Sequence, residues 1–80
     1  MLFTVYILKS EKDGKRYVGF TDDVQRRLAE HNLGLVQSTK NRRPLRLIYT
    51  ENYNTKTEAL SREKFFKTGF GRSLLKKKGL

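Results

Sequence analysis

An acidic residue stands among apolar residues in the last third of the chain. Ala59, Leu60, Phe66 and Phe70 recur at helical spacing, and Glu63 lies four residues after Ala59 and three before Phe66. A carboxylate on the apolar face of a helix must be desolvated or paired, which costs free energy. It can form a structural ion pair, or it can bind a cation, because one carboxylate with several waters holds magnesium against a phosphate. The pattern leaves both alternatives open. The nearby structural partners are Lys64 and Lys67.

A second candidate pair, Arg27 and His31, lies four residues apart and projects from one face of a predicted helix. Val24 and Leu28 mark the buried stripe of that helix, and the pair borders this stripe. A guanidinium at a sheet–helix junction suits a phosphate, because its donors form a fixed fork. The alternative is a solvated basic helix face with His31 packed at its edge.

A predicted β-hairpin brings two tyrosines to one face of a sheet. Asp13-Gly14 is typical of a tight turn, and a hairpin centred there would place Leu8 opposite Gly19. Tyr6 and Tyr17 would then share a face with both. A glycine inside a strand often marks a close approach to the backbone, so a phenol-lined pocket is one interpretation. Two ordinary half-buried strand aromatics are the other.

The elements that must position these residues follow from local pattern. Residues 35–43 predict a structureless loop, and glycines 69 and 71 predict an interruption after the second helix. The expected order is ββαβα with a short basic helical tail, an α+β fold with a small three-stranded antiparallel sheet flanked by helices. The predicted strands are 2–8, 16–20 and 45–53, the helices run from Asp22 to about Gly34 and from Thr55 to about Lys67, and the tail is 73–78.

The amino-acid composition excludes several kinds of functional site and indicates the compartment. One histidine and no cysteine exclude zinc sites of the usual ligand sets, and no glycine-rich phosphate-binding loop is present. The absence of cysteine suits a reducing compartment. The first apolar run has no basic stretch before it, and charges follow from Lys9 onward. We therefore expect a cytoplasmic protein without a membrane span, forming one domain over residues 1–80.

Charge indicates the partner. The chain has 18 Lys and Arg residues against 8 Asp and Glu residues, which gives a net charge of +10 and a pI near 10.2. Such an excess on a small domain attracts polyanions, so we expect nucleic acid rather than a basic surface without a partner. The basic residues form two clusters, which are Lys40, Arg42, Arg43 and Arg46 in the first and Lys64, Lys67, Arg72, Lys76, Lys77 and Lys78 in the second.

An ordered set of short motifs resembles a known family. Val5-Tyr6-Ile7 is followed by Tyr17-Val18-Gly19, then by Asp23-Val24-x-x-Arg27-Leu28-x-x-His31-Asn32, and finally by Ala59-Leu60-x-x-Glu63-Lys64. This set, with Pro44 and Leu47–Glu51 between its last two members, resembles the GIY-YIG endonuclease superfamily over residues 3 to about 70. It is most similar to the small stand-alone bacterial members and more distantly similar to the amino-terminal domain of excinuclease C.

The resemblance implies one site from these residues. Tyr6 would match the first-motif tyrosine, as a general base or a water-orienting phenol, and Tyr17 the second-motif tyrosine near the attacking water. Arg27 would stabilise charge on the phosphorane-like transition state, and His31 would assist the tyrosine. Glu63 would be the sole protein carboxylate on the metal.

The resemblance also implies the reaction and its partners. The expected activity is endonucleolytic hydrolysis of phosphodiester bonds of DNA, with Mg²⁺ or Mn²⁺, either structure-selective or weakly selective. RNA is the alternative substrate, and a protein partner would supply selectivity. The expected nucleic-acid contacts are Lys40, Arg42, Arg43, Arg46, Lys67 and Arg72. The rival functions are a non-catalytic nucleic-acid-binding module and a recruitment module that retain the fold.

Overall fold

The computed structural model describes residues 2–80 and contains a three-stranded antiparallel sheet with three helices. The predicted α+β fold and its ββαβα order are confirmed, with a third helix in place of the tail. In chain order the elements are β1 (Phe3–Ser10), β2 (Arg16–Thr21), α1 (Val24–Asn32), a short 3-10 turn (Lys40–Arg42), β3 (Leu45–Tyr53), α2 (Lys56–Phe66) and α3 (Gly69–Lys77). The strand order is β2-β1-β3, so β1 lies at the centre.

The helices cover both faces of this sheet. Val5 and Ile7 point to one side, where they pack with residues of α2 and α3, including Phe66 and Leu75. Tyr6 and Leu8 alternate to the other side, where α1 covers them. Within residues 2–80 no helix is both long and apolar enough to cross a membrane.

The register of the β1–β2 hairpin differs from the prediction by two residues. Tyr6 pairs with Gly19 and Leu8 with Tyr17, whereas the predicted turn placed Leu8 opposite Gly19. The hairpin is closed by Ser10 and Lys15 around a four-residue loop instead of a tight turn centred on Asp13-Gly14. The Ser10 hydroxyl stabilises this loop by accepting from the backbone N–H groups of Lys12 and Asp13. A shift of two preserves the face, so the two tyrosines and the glycine are on one side as expected.

The two predicted helix starts differ in accuracy. Thr55 caps α2 as predicted, because its hydroxyl accepts from the backbone N–H of Glu58 at 3.2 Å. The α1 cap is Asp23, one residue later than predicted, and its carboxylate accepts from the N–H of Arg26 at 3.1 Å. Gly34, with a φ of 80°, ends the α1 region as predicted.

The apolar stripe predicted for α2 is wrong at its last member. α2 ends at Phe66, and the Thr68 hydroxyl caps α3 by accepting from the N–H of Gly71. Phe70 therefore lies in a different helix and is 85% exposed. The predicted interruption after the second helix exists, but it lies at Lys67 and Thr68 and not at the two glycines, both of which belong to α3. A side chain at position 71 would overlap the carbonyl oxygen of Phe65, so glycine is required where α3 crosses α2.

One half-buried ion pair ties β3 to α2. Glu51 accepts from both Arg62 nitrogens Nε and Nη2, at 2.8 and 3.2 Å, and from the hydroxyls of Tyr49 and Tyr53. Burial alone would raise the pKa of Glu51, but these hydrogen bonds outweigh it and hold the pKa at about 2. The contact fixes α2, and with it Glu63, against the sheet.

Candidate functional site

A hydrogen-bonded chain of three buried side chains crosses the α1 face of the sheet. The Tyr6 Oη of β1 lies 2.9 Å from His31 Nε2 of α1, and His31 Nδ1 lies 2.7 Å from Thr39 Oγ1. Tyr6 is 2% exposed, and the other two residues are fully buried. Residues 35–43, predicted as a structureless loop, place Thr39 by folding back over α1 into the 3-10 turn.

Burial keeps both titratable groups of this chain neutral. Desolvation, together with a smaller effect of the positive charge of Arg27, lowers the pKa of His31 from 6.5 to about 4. Burial raises the pKa of the Tyr6 phenol, with a smaller opposing effect from Arg27. At neutral pH the imidazole therefore has one proton and the phenol keeps its own.

A neutral imidazole allows two arrangements of the protons. In one, the Tyr6 hydroxyl donates to Nε2 and the Nδ1–H donates to Thr39; in the other, the Thr39 hydroxyl donates to Nδ1 and the Nε2–H donates to Tyr6. In the first arrangement Tyr6 can pass its hydroxyl proton to His31 Nε2 while it accepts a proton from water, which suits a general base. The second leaves the phenol proton free to point at a water or a phosphate oxygen, which suits an orienting phenol.

Gly19 makes room for the phenol. A Cβ at this position would lie 2.5 Å from the Tyr6 Oη, closer than non-bonded atoms approach. Tyr17 completes an aromatic cluster with its ring centroid 6.4 Å from that of Tyr6 and 4.9 Å from that of His31. The structure therefore brings three of the five predicted catalytic residues, Tyr6, Tyr17 and His31, into direct contact.

Arg27 lies at the border of this cluster, as the sequence predicts. Its Nη1 donates to Glu30 Oε1 at 3.0 Å, and its side chain is 35% exposed. The guanidinium has five donors, so the ion pair with Glu30 leaves donors for a ligand. Arg27 is also close enough to Tyr6 and His31 to lower the pKa of both.

Glu63 has the ion pair that the structural alternative expects. Its Oε1 accepts from Lys67 Nζ at 3.0 Å, while its side chain is only 15% exposed. Its negative charge also raises the pKa of Tyr6, so it belongs to the same electrostatic surroundings.

A single carboxylate is a sufficient protein ligand for magnesium. Residues 2–80 contain no group of three or more acidic, histidine or cysteine side chains that could hold a metal. Mg²⁺ keeps several waters and is often bound by one or two carboxylates together with substrate phosphates, so Glu63 fits such an ion. A cation there would compete with the Lys67 ammonium for the same oxygen.

The six predicted nucleic-acid contacts occupy two places. In the first cluster, Arg42 pairs with Asp13 at 3.2 Å, and Arg46 lies 3.9 Å from Glu11. Arg43 donates to the backbone oxygen of Lys40 at 2.7 Å. The other two contacts, Lys67 and Arg72, lie at the junction of α2 with α3.

Thr39 is the member of the site that the sequence did not identify. It stands in a polar run, Gln37 to Arg43, in which no apolar residue marks a buried position. A threonine surrounded by such residues is expected to be solvated. The available signal was chemical, because a buried imidazole needs a partner for each ring nitrogen.

With this geometry defined, comparison with known proteins gives the class. A family model described as "GIY-YIG catalytic domain" matches residues 2–78. The chain belongs to this family, as the sequence resemblance predicted.

The relatives are themselves small proteins. The chain is 46% identical over 65 residues to a UPF0213 protein of Staphylococcus saprophyticus and 49% identical over 65 residues to one of Staphylococcus epidermidis, in both cases covering 80% of this chain and 78% of the relative. The solution NMR structure of a UPF0213 protein from Bacillus halodurans superposes with a TM-score of 0.57 at 36% identity, covering 94% of this chain and 82% of that one. The chain is therefore similar to stand-alone members of the family.

Proposed function

We propose that this protein is an endonuclease that hydrolyses phosphodiester bonds of DNA with the help of Mg²⁺ or Mn²⁺. Membership of the GIY-YIG family, a family of nuclease domains, supports the reaction class. The observation that carries the proposal is the buried chain from Tyr6 through His31 to Thr39, with Arg27 at its border. A module that only bound nucleic acid would not need a desolvated phenol aligned on a neutral imidazole.

In this proposal Tyr6 acts on the attacking water. The phenol accepts the water proton while its own proton moves to His31 Nε2, and Thr39 accepts the hydrogen bond from Nδ1. An imidazolium is disfavoured here, because desolvation lowers the pKa of His31 to about 4. The negative charge of a bound phosphodiester would offset this cost, so proton transfer is coupled to substrate binding.

Arg27 and Tyr17 act on the substrate. The guanidinium donors of Arg27 left free by Glu30 would stabilise the charge that accumulates on the phosphate oxygens in the transition state. The ring of Tyr17 packs edge-on against that of His31, which places Tyr17 beside the proposed base. Its hydroxyl would hold the attacking water. Gly19 keeps the space above the phenol open.

Glu63 is the proposed protein ligand of the cation. A divalent ion bound there would neutralise a phosphate oxygen and polarise the scissile bond. For the ion to bind, the Lys67 ammonium must move from Oε1.

The proposed binding mode is electrostatic. The basic residues Lys40, Arg42, Arg43, Arg46, Lys67 and Arg72 would contact phosphates, which carry no sequence information. Selectivity would then come from nucleic-acid structure or from a protein partner.

One observation favours the non-catalytic alternative. The ion pair between Glu63 and Lys67 satisfies the carboxylate within the chain, as a purely structural acid requires. A nucleic-acid-binding module with the same fold would keep this contact and need no metal.

A cleavage assay separates the two. Purified protein is incubated in excess over duplex, flap, nicked and single-stranded DNA, with Mg²⁺, with Mn²⁺ and with chelator, beside a Tyr6→Phe preparation made in parallel. The endonuclease cleaves at least one substrate only with metal, and the Tyr6→Phe protein cleaves it at least about 100-fold more slowly. Equal cleavage by both preparations identifies a contaminant, and no cleavage by the wild type supports the binding module.

A further inference from the structure

A groove of about 510 Å³ lies between the β1–β2 hairpin and the junction of α2 with α3. The hairpin contributes Lys15, Arg16 and Tyr17, and the helices contribute Lys67 and Arg72. Four of these five side chains are cationic, and no acidic residue lines the groove. Its floor is apolar, formed in part by the buried ring of Phe66.

The cations of this groove are largely uncommitted. Within residues 2–80 the side chains of Lys15 and Arg72 form no ion pair and no hydrogen bond. Arg16 makes only a 3.5 Å contact from Nη1 to the backbone oxygen of Leu80. A cationic surface that its own fold does not neutralise attracts an external polyanion most strongly.

Two residues that line the groove also contact residues of the candidate site. Tyr17 lines it and lies with its ring 4.9 Å from that of His31. Lys67 lines it and contacts the carboxylate of Glu63. A strand lying in the groove would therefore touch one member of the aromatic cluster, Tyr17, and the ion-pair partner of the proposed metal ligand, Lys67.

A second basic concavity offers the competing location. It has a volume of about 520 Å³ and is lined by Lys12, Lys40 and Arg43 among others. Two of these cations are already used, because Lys12 Nζ donates to the Asn41 oxygen at 3.1 Å and Arg43 Nε to the Lys40 oxygen at 2.7 Å. None of the five proposed catalytic residues lines it.

We propose that the groove between the hairpin and the α2–α3 junction binds the phosphodiester backbone of the DNA strand that is to be cleaved. Lys15, Arg16 and Arg72 contact its phosphates, and Lys67 leaves Glu63 for a phosphate when the strand binds. Lys15 and Arg16 are thereby added to the expected contacts, and the cluster around Lys40 becomes secondary. The inference rests on the proposed function only in identifying the bound strand as a substrate.

A matched pair of double variants tests the groove. Lys15→Gln with Arg72→Gln removes two cations from it, and Lys40→Gln with Arg43→Gln removes one lysine and one arginine from the second concavity. Affinity for a fluorescent DNA duplex is measured by anisotropy between 50 and 200 mM NaCl, in chelator so that no cleavage occurs. Both variants have the same net charge, so an overall loss of attraction affects them equally.

The groove variant is expected to lose affinity by about 50-fold at roughly 0.1 M salt, because each phosphate contact releases about 0.9 counterion. The slope of log affinity against log salt should fall by about 1.8, whereas the control should change by less than about fivefold with a similar slope. An equal or larger loss in the control variant would overturn the proposal.

An NMR titration locates the strand without any substitution. The backbone amides of Gly14, which lines the groove, and Gly71, next to Arg72, should shift on addition of the duplex. Gly34, beside Arg43, should shift little. The opposite pattern contradicts the groove. These measurements do not depend on cleavage, so an inactive protein with this binding pattern refutes the proposed nuclease while leaving the groove in place.

Discussion

The single histidine of the chain makes the protonation of the site directly observable. His31 is fully buried, and burial lowers its pKa to about 4. Its ring proton resonances are unique, so an NMR pH titration needs no assignment by mutagenesis. We expect a midpoint near pH 4; a midpoint near 6.5 would mean that the ring is solvated and the buried chain is absent.

The same shift predicts how stability depends on pH. His31 has a lower pKa folded than unfolded, so its contribution is complete above pH 6.5 and is lost as pH falls toward 4. At pH 4.5, two pH units below the unfolded pKa, the loss amounts to about 2–3 kcal/mol, since one pKa unit corresponds to about 1.4 kcal/mol. Urea unfolding of the wild type and of His31→Gln at pH 7 and 4.5 isolates this difference from the carboxylates, which titrate in both.

Removing the Tyr6 hydroxyl tests the chemical step. Tyr6→Phe is expected to lower single-turnover cleavage by about 10²–10³, in the range found when one transition-state donor is removed. It should also cost about 1–3 kcal/mol of stability, because His31 Nε2 loses its buried partner. Tyr53→Phe is the matched control, since it removes a phenol bound to Glu51 away from the site. Cleavage reduced equally in both variants would indicate a general structural effect.

At the scale of elements, the central β1 strand and the β2 strand position the phenol through a glycine. Gly19→Ala would push a methyl group against the Tyr6 Oη and separate it from His31. We expect cleavage to fall at least tenfold, with a stability loss of about 1–3 kcal/mol from overpacking. Gly69→Ala, where a Cβ meets nothing within 4 Å, should leave cleavage unchanged. Wild-type cleavage by the Gly19 variant would show that the phenol need not contact the imidazole.

The α2 helix carries the residue that separates an enzyme from a binding module. Glu63→Gln should abolish metal-dependent cleavage if the carboxylate binds the cation. It should change stability by less than about 1 kcal/mol, because the Lys67 partner is 53% exposed. Glu58→Gln, a change of the same type at an exposed position of the same helix, should keep activity. Calorimetric titration with Mn²⁺ gives a readout besides cleavage, and unchanged metal affinity in Glu63→Gln would refute the metal role.

The strands and the helix starts could be predicted because their signals are local. The β-branched and aromatic run of β1 and the threonine cap of α2 depend on a few neighbouring residues. The hairpin register could not be predicted, since it depends on the Ser10 hydroxyl stabilising a four-residue loop. The burial of Thr39 and the exposure of Phe70 depend on tertiary packing, which a periodic pattern does not contain.

The same division holds for the candidate site. Residue types and spacing placed Tyr6, Tyr17 and Gly19 on one face, which the strand pairing confirms. The contact between Tyr6 and His31 joins residues 25 apart in sequence, and a resemblance to a family was needed to connect them. The catalytic roles stay predictions.

At the scale of the whole molecule, the acidic residues are all engaged within the fold. Six of the eight form ion pairs, and the remaining two, Asp23 and Glu58, take part in helix capping contacts. Among residues 2–80, no acidic side chain is therefore left to pair with the excess of cations that gives the chain its net charge of +10. Mutual repulsion of these cations destabilises the compact state.

Salt should consequently stabilise the protein. Raising NaCl from about 10 mM to about 200 mM shortens the Debye length to below 10 Å and weakens the repulsion. We expect the Tm to rise by several degrees, since about 1 kcal/mol shifts the Tm of a domain of this size by roughly 4–8 °C. Differential scanning calorimetry measures this at fixed pH. A falling Tm would mean that the ion pairs outweigh the repulsion.

The proposed catalytic residues are synthesised at different times, because they are spread along most of the chain. Tyr6 lies on the first strand, whereas Glu63 lies on α2, and the central strand is paired on both sides only after β3 has been made. A nascent chain still attached to the ribosome would thus hold the phenol, the guanidinium and the imidazole without the acid. The proposed hydrolysis could therefore begin only after α2 has been synthesised.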